Sequence, residues 1–220
     1  MILKQPNFWK KKNFISFLLY PLTIITFSIN FFKKLSFKNR FKIKTICVGN
    51  LNVGGTGKTS LAIELNRLLN KKFKTVFIKK NYSNHKDEIN LLKKKGKIIS
   101  KIDRVNALKI AEKKFDVAIL DDGLQQKNIE YDLRIVCINS SEGFGNNFLL
   151  PAGPLRENVE ELKNYDIVFF NGFKKNKKLK QKIKKLNKNL KIFEAIYEPL
   201  DIKKYNLTKN FLFFCGIGNP

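Results

Sequence analysis

The sequence predicts an α/β fold built on a mainly parallel sheet flanked by helices. From residue 42 onward, short apolar runs alternate with helical segments, which is the pattern of parallel β-α units. The run at 115–122, FDVAILDD, begins with an unbroken apolar stretch, as expected for a strand covered on both faces. With 220 residues and 43% hydrophobic content, the chain is long enough for one such domain. We therefore expect this domain at 41–220, behind a separate N-terminal segment at 1–40.

The N-terminal segment contains an uncharged run at 14–32, FISFLLYPLTIITFSINFF, with lysines on both flanks. Its length is close to the minimum for a membrane-spanning helix, although Pro21 and several polar residues weaken that interpretation. A helix that lies in one leaflet, with the lysines on anionic headgroups, fits equally well. A helix buried against the domain is the third alternative. Both of the first two interpretations predict a membrane-associating segment.

Seven strands and three helices are predicted in the domain. The strands lie at 45–50, 75–80, 115–122, 133–139, 166–172, 191–197 and 210–216, and the helices lie at 58–70, 104–113 and 174–191. On the first of these helices Leu61, Leu65 and Leu68 share one face, which should be the buried one. The last helix is rich in lysine, and its buried stripe should consist of Leu179, Ile183, Leu186 and Leu190.

The composition predicts an anionic partner. Lys and Arg number 44 against 18 Asp and Glu, so a formal charge of +26 spreads positive potential over the surface. Part of this excess accompanies a general abundance of Lys, Asn, Ile and Phe, as an AT-rich genome would produce. Nucleic acid and anionic lipid both match the charge, but the chain carries no recognised nucleic-acid reading motif. We therefore expect an anionic membrane surface and no nucleic acid.

A glycine-rich loop, NVGGTGKT at 52–59, lies between the first predicted strand and the first helix of the domain. Backbone amides in such a loop approach the phosphates of a nucleoside triphosphate, and the helix N-terminus adds its own amides. Lys58 would reach the β- and γ-phosphates, while Thr59 would offer its hydroxyl to magnesium. Position 52 departs from the strict motif, because Asn52 stands where the first glycine is expected. The predicted nucleotide ligands are Asn52, Val53, Gly54, Gly55, Thr56, Gly57, Lys58 and Thr59.

These features together predict a P-loop NTPase-like domain that binds ATP and Mg²⁺. We expect Gly54, Gly55 and Gly57 to adopt backbone angles with positive φ, which cost little only for glycine. Asp121 and Asp122 end an apolar strand, and a carboxylate in that place holds magnesium in P-loop enzymes. Asp121, Asp122 and Thr59 are therefore the predicted metal site. The alternative for Asp-Asp-Gly is a plain turn.

The motifs VGNLNVGGTGKT, DDGLQ and FGNNFLLPAGPLRE, in this order and spacing, resemble the tetraacyldisaccharide 4'-kinase family of lipid A biosynthesis. The resemblance runs from Trp9 and LLYPL near the N-terminus to CGIGNP at the end. It implies transfer of the γ-phosphate of ATP to the 4'-hydroxyl of a tetraacylated glucosamine disaccharide 1-phosphate. It also implies a lipid A precursor as the partner and a location at the cytoplasmic face of the bacterial inner membrane.

The same resemblance implies a set of catalytic residues. Lys58 and Asp122 would serve ATP and magnesium, and Asp87 would orient or deprotonate the acceptor hydroxyl. Arg156 and Glu157 of PLRE would line the site where phosphate and sugar meet, and Arg104 matches a family arginine. Each role has a plainer alternative.

Two of these alternatives are specific. Asp87 and Glu88 could be a helix-start pair that the macrodipole favours. Arg156 could instead form a surface ion pair with Glu157 or Glu160.

Some positions depart from the family pattern. Lys80, Asn81 and Ser83 replace an arginine and glycines of the RGYGG motif, and Gln126 replaces a histidine. The sequence ends at GIGNP, where the family continues into a segment with a DHH motif. Impaired catalysis is therefore expected, and a catalytically impaired nucleotide-binding fragment is one alternative.

A membrane-associated switch ATPase is a further alternative, but Val53 stands where that class carries a signature lysine. A GTPase is disfavoured because no NKxD motif is present.

Overall fold

A computed structural model describes residues 5–82, 86–172 and 175–196, and its centre is a seven-stranded sheet. The strand order is β3-β2-β4-β1-β5-β6-β7, and every strand pairing in the described part of the chain is parallel. The predicted α/β class is therefore confirmed. The strands are β1 (Lys44–Gly49), β2 (Thr75–Lys80), β3 (Ile98–Lys101), β4 (Val117–Asp121), β5 (Leu133–Asn139), β6 (Ile167–Gly172) and β7 (Lys191–Ile196).

Six α-helices accompany this sheet in the described ranges. They are α1 (Phe14–Leu18), α2 (Thr23–Lys34), α3 (Lys58–Leu69), α4 (Lys86–Lys95), α5 (Arg104–Ala111) and α6 (Lys177–Leu186). The sequence indicated α4 only through the alternative that Asp87 and Glu88 start a helix, and it did not predict β3. Only Ile89 and Leu92 are buried in α4, and β3 is a four-residue edge strand with no buried residue, so both carry a weak apolar pattern. The predicted strand at 210–216 lies outside the described residues.

The apolar side chains pack on both faces of the sheet. Successive residues of β2 alternate between two buried clusters, with Val76 and Ile78 in one and Phe77 in the other. In β4, Leu120 belongs to the first cluster and Ile119 to the second, and all five residues of this strand are buried. The sheet is therefore the middle layer of the domain, as the unbroken apolar run at 115–122 predicts.

Two details of the predicted helices are wrong. On α3 the buried residues are Ala62 and Asn66, whereas Leu68 is 49% exposed. Leu61 and Leu65 are half-buried against the core, so the predicted leucine face is right for these two residues and wrong for Leu68. The helix predicted at 174–191 ends at Leu186, since Asn187 is extended, and Leu190 is buried beyond the helix.

The N-terminal segment forms a broken helical arm, residues 5–35. A 3-10 helix at Tyr20–Leu22 separates α1 from α2, and Pro21 lies inside it. None of the described residues of α2 is buried, but Thr26 and Asn30 donate hydrogen bonds to the domain, so α2 packs on the domain without being buried in it. Across the ranges that the structure describes, no helix combines the length and the apolar character needed to cross a membrane.

Candidate active site

The glycine-rich loop follows β1 at the carboxyl edge of the sheet and leads directly into α3. Gly57 caps α3 with a φ of 75°, and a Cβ at this position would collide with the side-chain amide of Asn171. Gly54 has a φ of 128°, which also favours glycine. Gly55 does not adopt a positive φ, so that part of the prediction is wrong. Two of the three glycines are therefore required by backbone geometry.

The segment at 143–156 braces the outer side of this loop. The Val53 N–H donates to Pro154 O at 2.8 Å, and the Asn52 side-chain amide donates to Gly143 O at 2.8 Å. Asn52 is buried, and its side chain thus holds the loop at the position where the strict motif has glycine. The motif LLPAGPLRE therefore contributes to the shape of the phosphate loop.

Asp121 lies fully buried at the carboxyl end of β4, beside the start of α3. Its Oδ2 accepts hydrogen bonds from Thr59 Oγ1 at 3.2 Å and from Lys79 Nζ at 2.6 Å. Its Oδ1 is buried and has no hydrogen-bond partner among the described residues. The structure thus brings together Thr59 and Asp121, as the sequence predicts.

Lys79 is the residue of this site that the sequence analysis missed. It is 3% exposed, and its Nζ also lies 2.5 Å from Glu88 Oε2 in the first turn of α4. Burial lowers the pKa of Lys79, but the charges of Asp121 and Glu88 raise the pKa by more, so the ammonium stays charged. A lysine that directly continues the apolar run TVFI was the available signal.

Asp122 is the second carboxylate, and its φ of 59° turns the chain away from the strand. Its Oδ1 accepts from Arg156 Nη1 at 2.9 Å. Burial raises the pKa of Asp122, but the charges of Lys58, Arg156 and Lys79 lower it by more, so the pKa is below its ordinary value. The alternative of a surface ion pair between Arg156 and Glu157 or Glu160 is wrong, because Arg156 binds Asp122.

Arg104 fixes the backbone of this carboxylate turn. Its guanidinium donates to Asp122 O at 2.8 Å, to Asp121 O at 3.3 Å and to Gln126 Oε1 at 3.1 Å. It is 7% exposed, so these bonds form away from water. Gln126, which replaces the family's histidine, therefore supports Arg104.

Glu157 and Asp87 lie outside the cluster around Asp121 and Asp122. Glu157 is 1% exposed and accepts from Tyr165 Oη at 2.7 Å and from Lys127 Nζ at 2.6 Å. Burial, followed by the charge of Glu157, raises the pKa of Tyr165 well above its ordinary value. Asp87 is exposed in the first turn of α4, so its helix-start position is confirmed. The catalytic roles of Glu157 and Asp87 stay predictions.

A cavity of about 700 Å³ opens beside Asp122 and Arg156. It extends to the carboxyl end of α2 through Lys33 and Ser36. Five cationic side chains line it against two carboxylates, so it suits an anionic ligand. The charged residues of its lining are Lys33, Lys80, Arg104, Lys127, Arg156, Asp103 and Asp122.

The phosphate loop and its surroundings fit a nucleotide with magnesium. Asn50 Oδ1, Thr56 Oγ1 and Asp121 Oδ1 are buried polar atoms without a hydrogen-bond partner among the described residues. Carboxylate and hydroxyl oxygens are the ligands that Mg²⁺ prefers, usually together with substrate phosphates and water. Thr59 and Asp121 supply such oxygens next to the N-terminus of α3.

Comparison with known proteins gives a consistent result. The sequence profile of the tetraacyldisaccharide-1-P 4'-kinase family matches residues 15–95 and 79–220. A tetraacyldisaccharide 4'-kinase from Pelagibacter ubique is 47% identical over 227 residues, which cover 100% of this chain and 71% of the relative. The corresponding kinase from Rickettsia canadensis is 36% identical, over 99% of this chain and 72% of that protein.

One solved structure supports the fold. The crystal structure of LpxK from Aquifex aeolicus in complex with ATP superposes with a TM-score of 0.58 at 21% identity. The match covers 92% of this chain and 84% of that one. It confirms the P-loop NTPase-like architecture.

Proposed function

This chain belongs to the tetraacyldisaccharide-1-P 4'-kinase family and has the ATP-dependent 4'-kinase activity of lipid A biosynthesis, and we propose that the carboxyl edge of the sheet performs that reaction. The observation that carries the proposal is the arrangement of Lys58, Thr59, Asp121, Asp122 and Arg156. Lys58 and Thr59 end the phosphate loop and Thr59 donates to Asp121, while Asp122 and Arg156 line the basic cavity. A phosphate donor and an anionic acceptor would therefore meet there.

In the proposed arrangement the loop at 52–59 cradles the phosphates of ATP. Lys58 neutralises the β- and γ-phosphates, and Thr59 with Asp121 and Asp122 would hold Mg²⁺. The metal, when bound, offsets the negative charge that develops on the transferred phosphoryl group. Arg156 presents a fixed cation at the cavity side of Asp122, where it would stabilise the same charge.

The basic cavity is the proposed acceptor site. Its cations suit a disaccharide 1-phosphate, and Lys33 at the end of α2 connects the cavity to the N-terminal arm. The 4'-hydroxyl oxygen would attack the γ-phosphorus while ADP leaves, and the hydroxyl proton would pass to a carboxylate. We propose Asp87 as that carboxylate and Glu157 as a residue that shapes the PLRE segment.

The N-terminal arm is proposed to hold the enzyme on the cytoplasmic face of the bacterial inner membrane. Phe14, at the start of α1, is 80% exposed, and Phe32, near the end of α2, is 68% exposed. Lysines precede α1 and end α2, which suits an anionic surface. A lipid acceptor would then reach the cavity from the bilayer.

A direct assay tests the proposal. The purified chain, with ATP, Mg²⁺ and tetraacyldisaccharide 1-phosphate in detergent micelles, should add one phosphate to the acceptor, as mass spectrometry detects. Lys58→Ala should form product at least about 100-fold more slowly. Lys72→Ala, which removes an exposed lysine in the turn after α3, should leave the rate unchanged. Binding of ATP without any product would instead support the nucleotide-binding fragment.

A further inference from the structure

The ammonium of Lys79 lies between Asp121, the proposed magnesium ligand, and α4, the helix that carries Asp87. It is 2.6 Å from Asp121 Oδ2 and 2.5 Å from Glu88 Oε2, so one cation joins the end of β4 to the first turn of α4. Only 4% of the Lys79 side chain is exposed. Its position is therefore fixed, because moving it would leave buried Asp121 without its countercharge.

We propose that Lys79 is a positioning residue that orients Asp121 for magnesium and couples the bound Mg·ATP to α4. This inference deepens the proposed function and relies on it only for the presence of Mg·ATP in the loop. No role for Lys79 follows from the motifs of the sequence.

The first part of the inference is the orientation of Asp121. Lys79 and Thr59 both donate to Oδ2, and two donors on one oxygen fix the plane of the carboxylate. Oδ1 then remains the oxygen without a partner among the described residues. Groups that hold a metal ligand in place in this way control the affinity for the metal.

The second part is the coupling to α4. The far end of this helix is held independently, because Asn66 Nδ2 donates to Lys95 O at 3.1 Å and Leu92 is buried. Its first turn contacts the carboxylate centre through the Glu88–Lys79–Asp121 bridge. Asp87 is the neighbour of Glu88, so a change at Asp121 would be transmitted to the proposed acceptor base.

The first test measures nucleotide binding, with a fluorescent ATP analogue titrated in EDTA and at increasing Mg²⁺. Lys79→Met keeps the length and apolar stem of the side chain. It should bind the analogue normally in EDTA but need about tenfold more Mg²⁺ for half-maximal enhancement. Lys74→Met, which removes an exposed lysine just before β2, is the matched control and should behave as wild type.

Two outcomes would overturn the orientation. One is a wild-type Mg²⁺ dependence in Lys79→Met. The other is an equal loss of affinity with and without Mg²⁺, which is the result expected of a lysine that only supports the strand.

The second test measures hydrogen exchange of the amides at 86–95 with and without Mg·ATP, in wild type and in Glu88→Gln. Wild type should gain protection when Mg·ATP binds, and the variant should lose this gain while its Mg²⁺ dependence changes by less than about twofold. An identical gain in both proteins would refute the coupling. The hydrogen-exchange test still decides the coupling if Lys79→Met does not fold. Both tests report nucleotide binding, so a failure of acceptor phosphorylation would be recognised separately.

Discussion

The carboxyl edge of the sheet and the N-terminal arm place opposite kinds of side chain in unusual surroundings. At the edge, Asp121 and Lys79 are buried charged groups and Asp122 is only partly exposed, and each has an opposite charge within 3 Å. On the arm, apolar side chains such as Phe14 remain in water, and polar contacts fasten the arm to the domain. The charges at the edge are balanced within the protein, whereas the arm exposes an apolar surface that is typical of a binding site for an external partner.

The two regions are joined by the segment at 143–156. Thr26 Oγ1 donates to Leu150 O at 2.7 Å and Asn30 Nδ2 donates to Arg156 O at 2.6 Å. The same segment braces the phosphate loop through Pro154 and provides the Arg156 guanidinium for Asp122. The arm that we propose to bind the membrane and the proposed phosphate-transfer site therefore share one scaffold, which suits a kinase whose acceptor is a lipid.

The largest expected effect is at the edge. Lys58→Ala should lower the rate of acceptor phosphorylation by about 100- to 1,000-fold, because the charge on the phosphates loses a fixed cation. The fold should persist, since Lys58 is not part of the buried core. Initial rates and circular dichroism of the same preparation check both statements. A variant that keeps more than half the wild-type rate would contradict this role.

The next effect concerns the arm. The double change Phe14→Ser and Phe32→Ser should weaken partition onto anionic phospholipid vesicles by about 100-fold or more, since full burial of each Phe is worth about 1.5–3 kcal/mol. Vesicle co-sedimentation measures this. Phe73→Ser removes a Phe that is 46% exposed outside the arm and should leave the partition unchanged. Equal losses in the two proteins would show that the arm is not the contact.

A smaller effect is expected in the segment at 143–156, where it contacts the arm. Asn146 is buried, and its side-chain amide donates to Phe8 O at 2.9 Å and to Ala152 O at 2.8 Å. Asn146→Ala should lower the free energy of unfolding by about 1–3 kcal/mol and loosen the arm. Trp9 is the single tryptophan, so its emission should shift to longer wavelength. An unchanged emission maximum would mean that the arm stays docked without Asn146.

The smallest effect is a pH dependence at Asp122. Its pKa is lower in the folded protein, so its contribution to stability is present above the pKa of the unfolded chain and is lost as pH falls through the folded pKa. The carboxyl is partly exposed, so we expect less than about 1 kcal/mol. Asp122→Asn tolerates the left-handed backbone and removes the charge. The stability difference from wild type, measured by urea unfolding, should be constant above about pH 5 and shrink below pH 4. A difference that grows on acidification would contradict the sign.

The sequence predicted those parts of the edge whose signals are local. The loop at 52–59 and the pair Asp121–Asp122 can be recognised because a glycine run and a strand-end carboxylate each lie within a few residues. The contact between Thr59 and Asp121 was also predicted. The two residues follow or end the parallel strands β1 and β4, so they lie at the same edge of the sheet. The helices α3, α5 and α6 were predicted within a few residues at their starts.

Long-range contacts were not predictable in the same way. Lys79 belongs to the site only because β2 lies beside β4, and that strand order is not visible in a single sequence. Arg156 could be seen in its motif, but its pairing with Asp122 depends on a fold-back of the segment at 143–156. The break at Pro21 was indicated by the residue itself, while the docking of α2 through Thr26 and Asn30 had no sequence signal.

The most direct measurement of the central claim is the position of the transferred phosphate. After reaction with ATP and Mg²⁺, ³¹P–¹H correlation spectra of the tetraacyldisaccharide 1-phosphate product should contain one new phosphomonoester coupled to the proton at C4'. The Lys58→Ala protein should give a spectrum with the 1-phosphate alone. A phosphate on another hydroxyl, or a wild-type sample in which ATP is bound while the acceptor stays unmodified, would contradict the account.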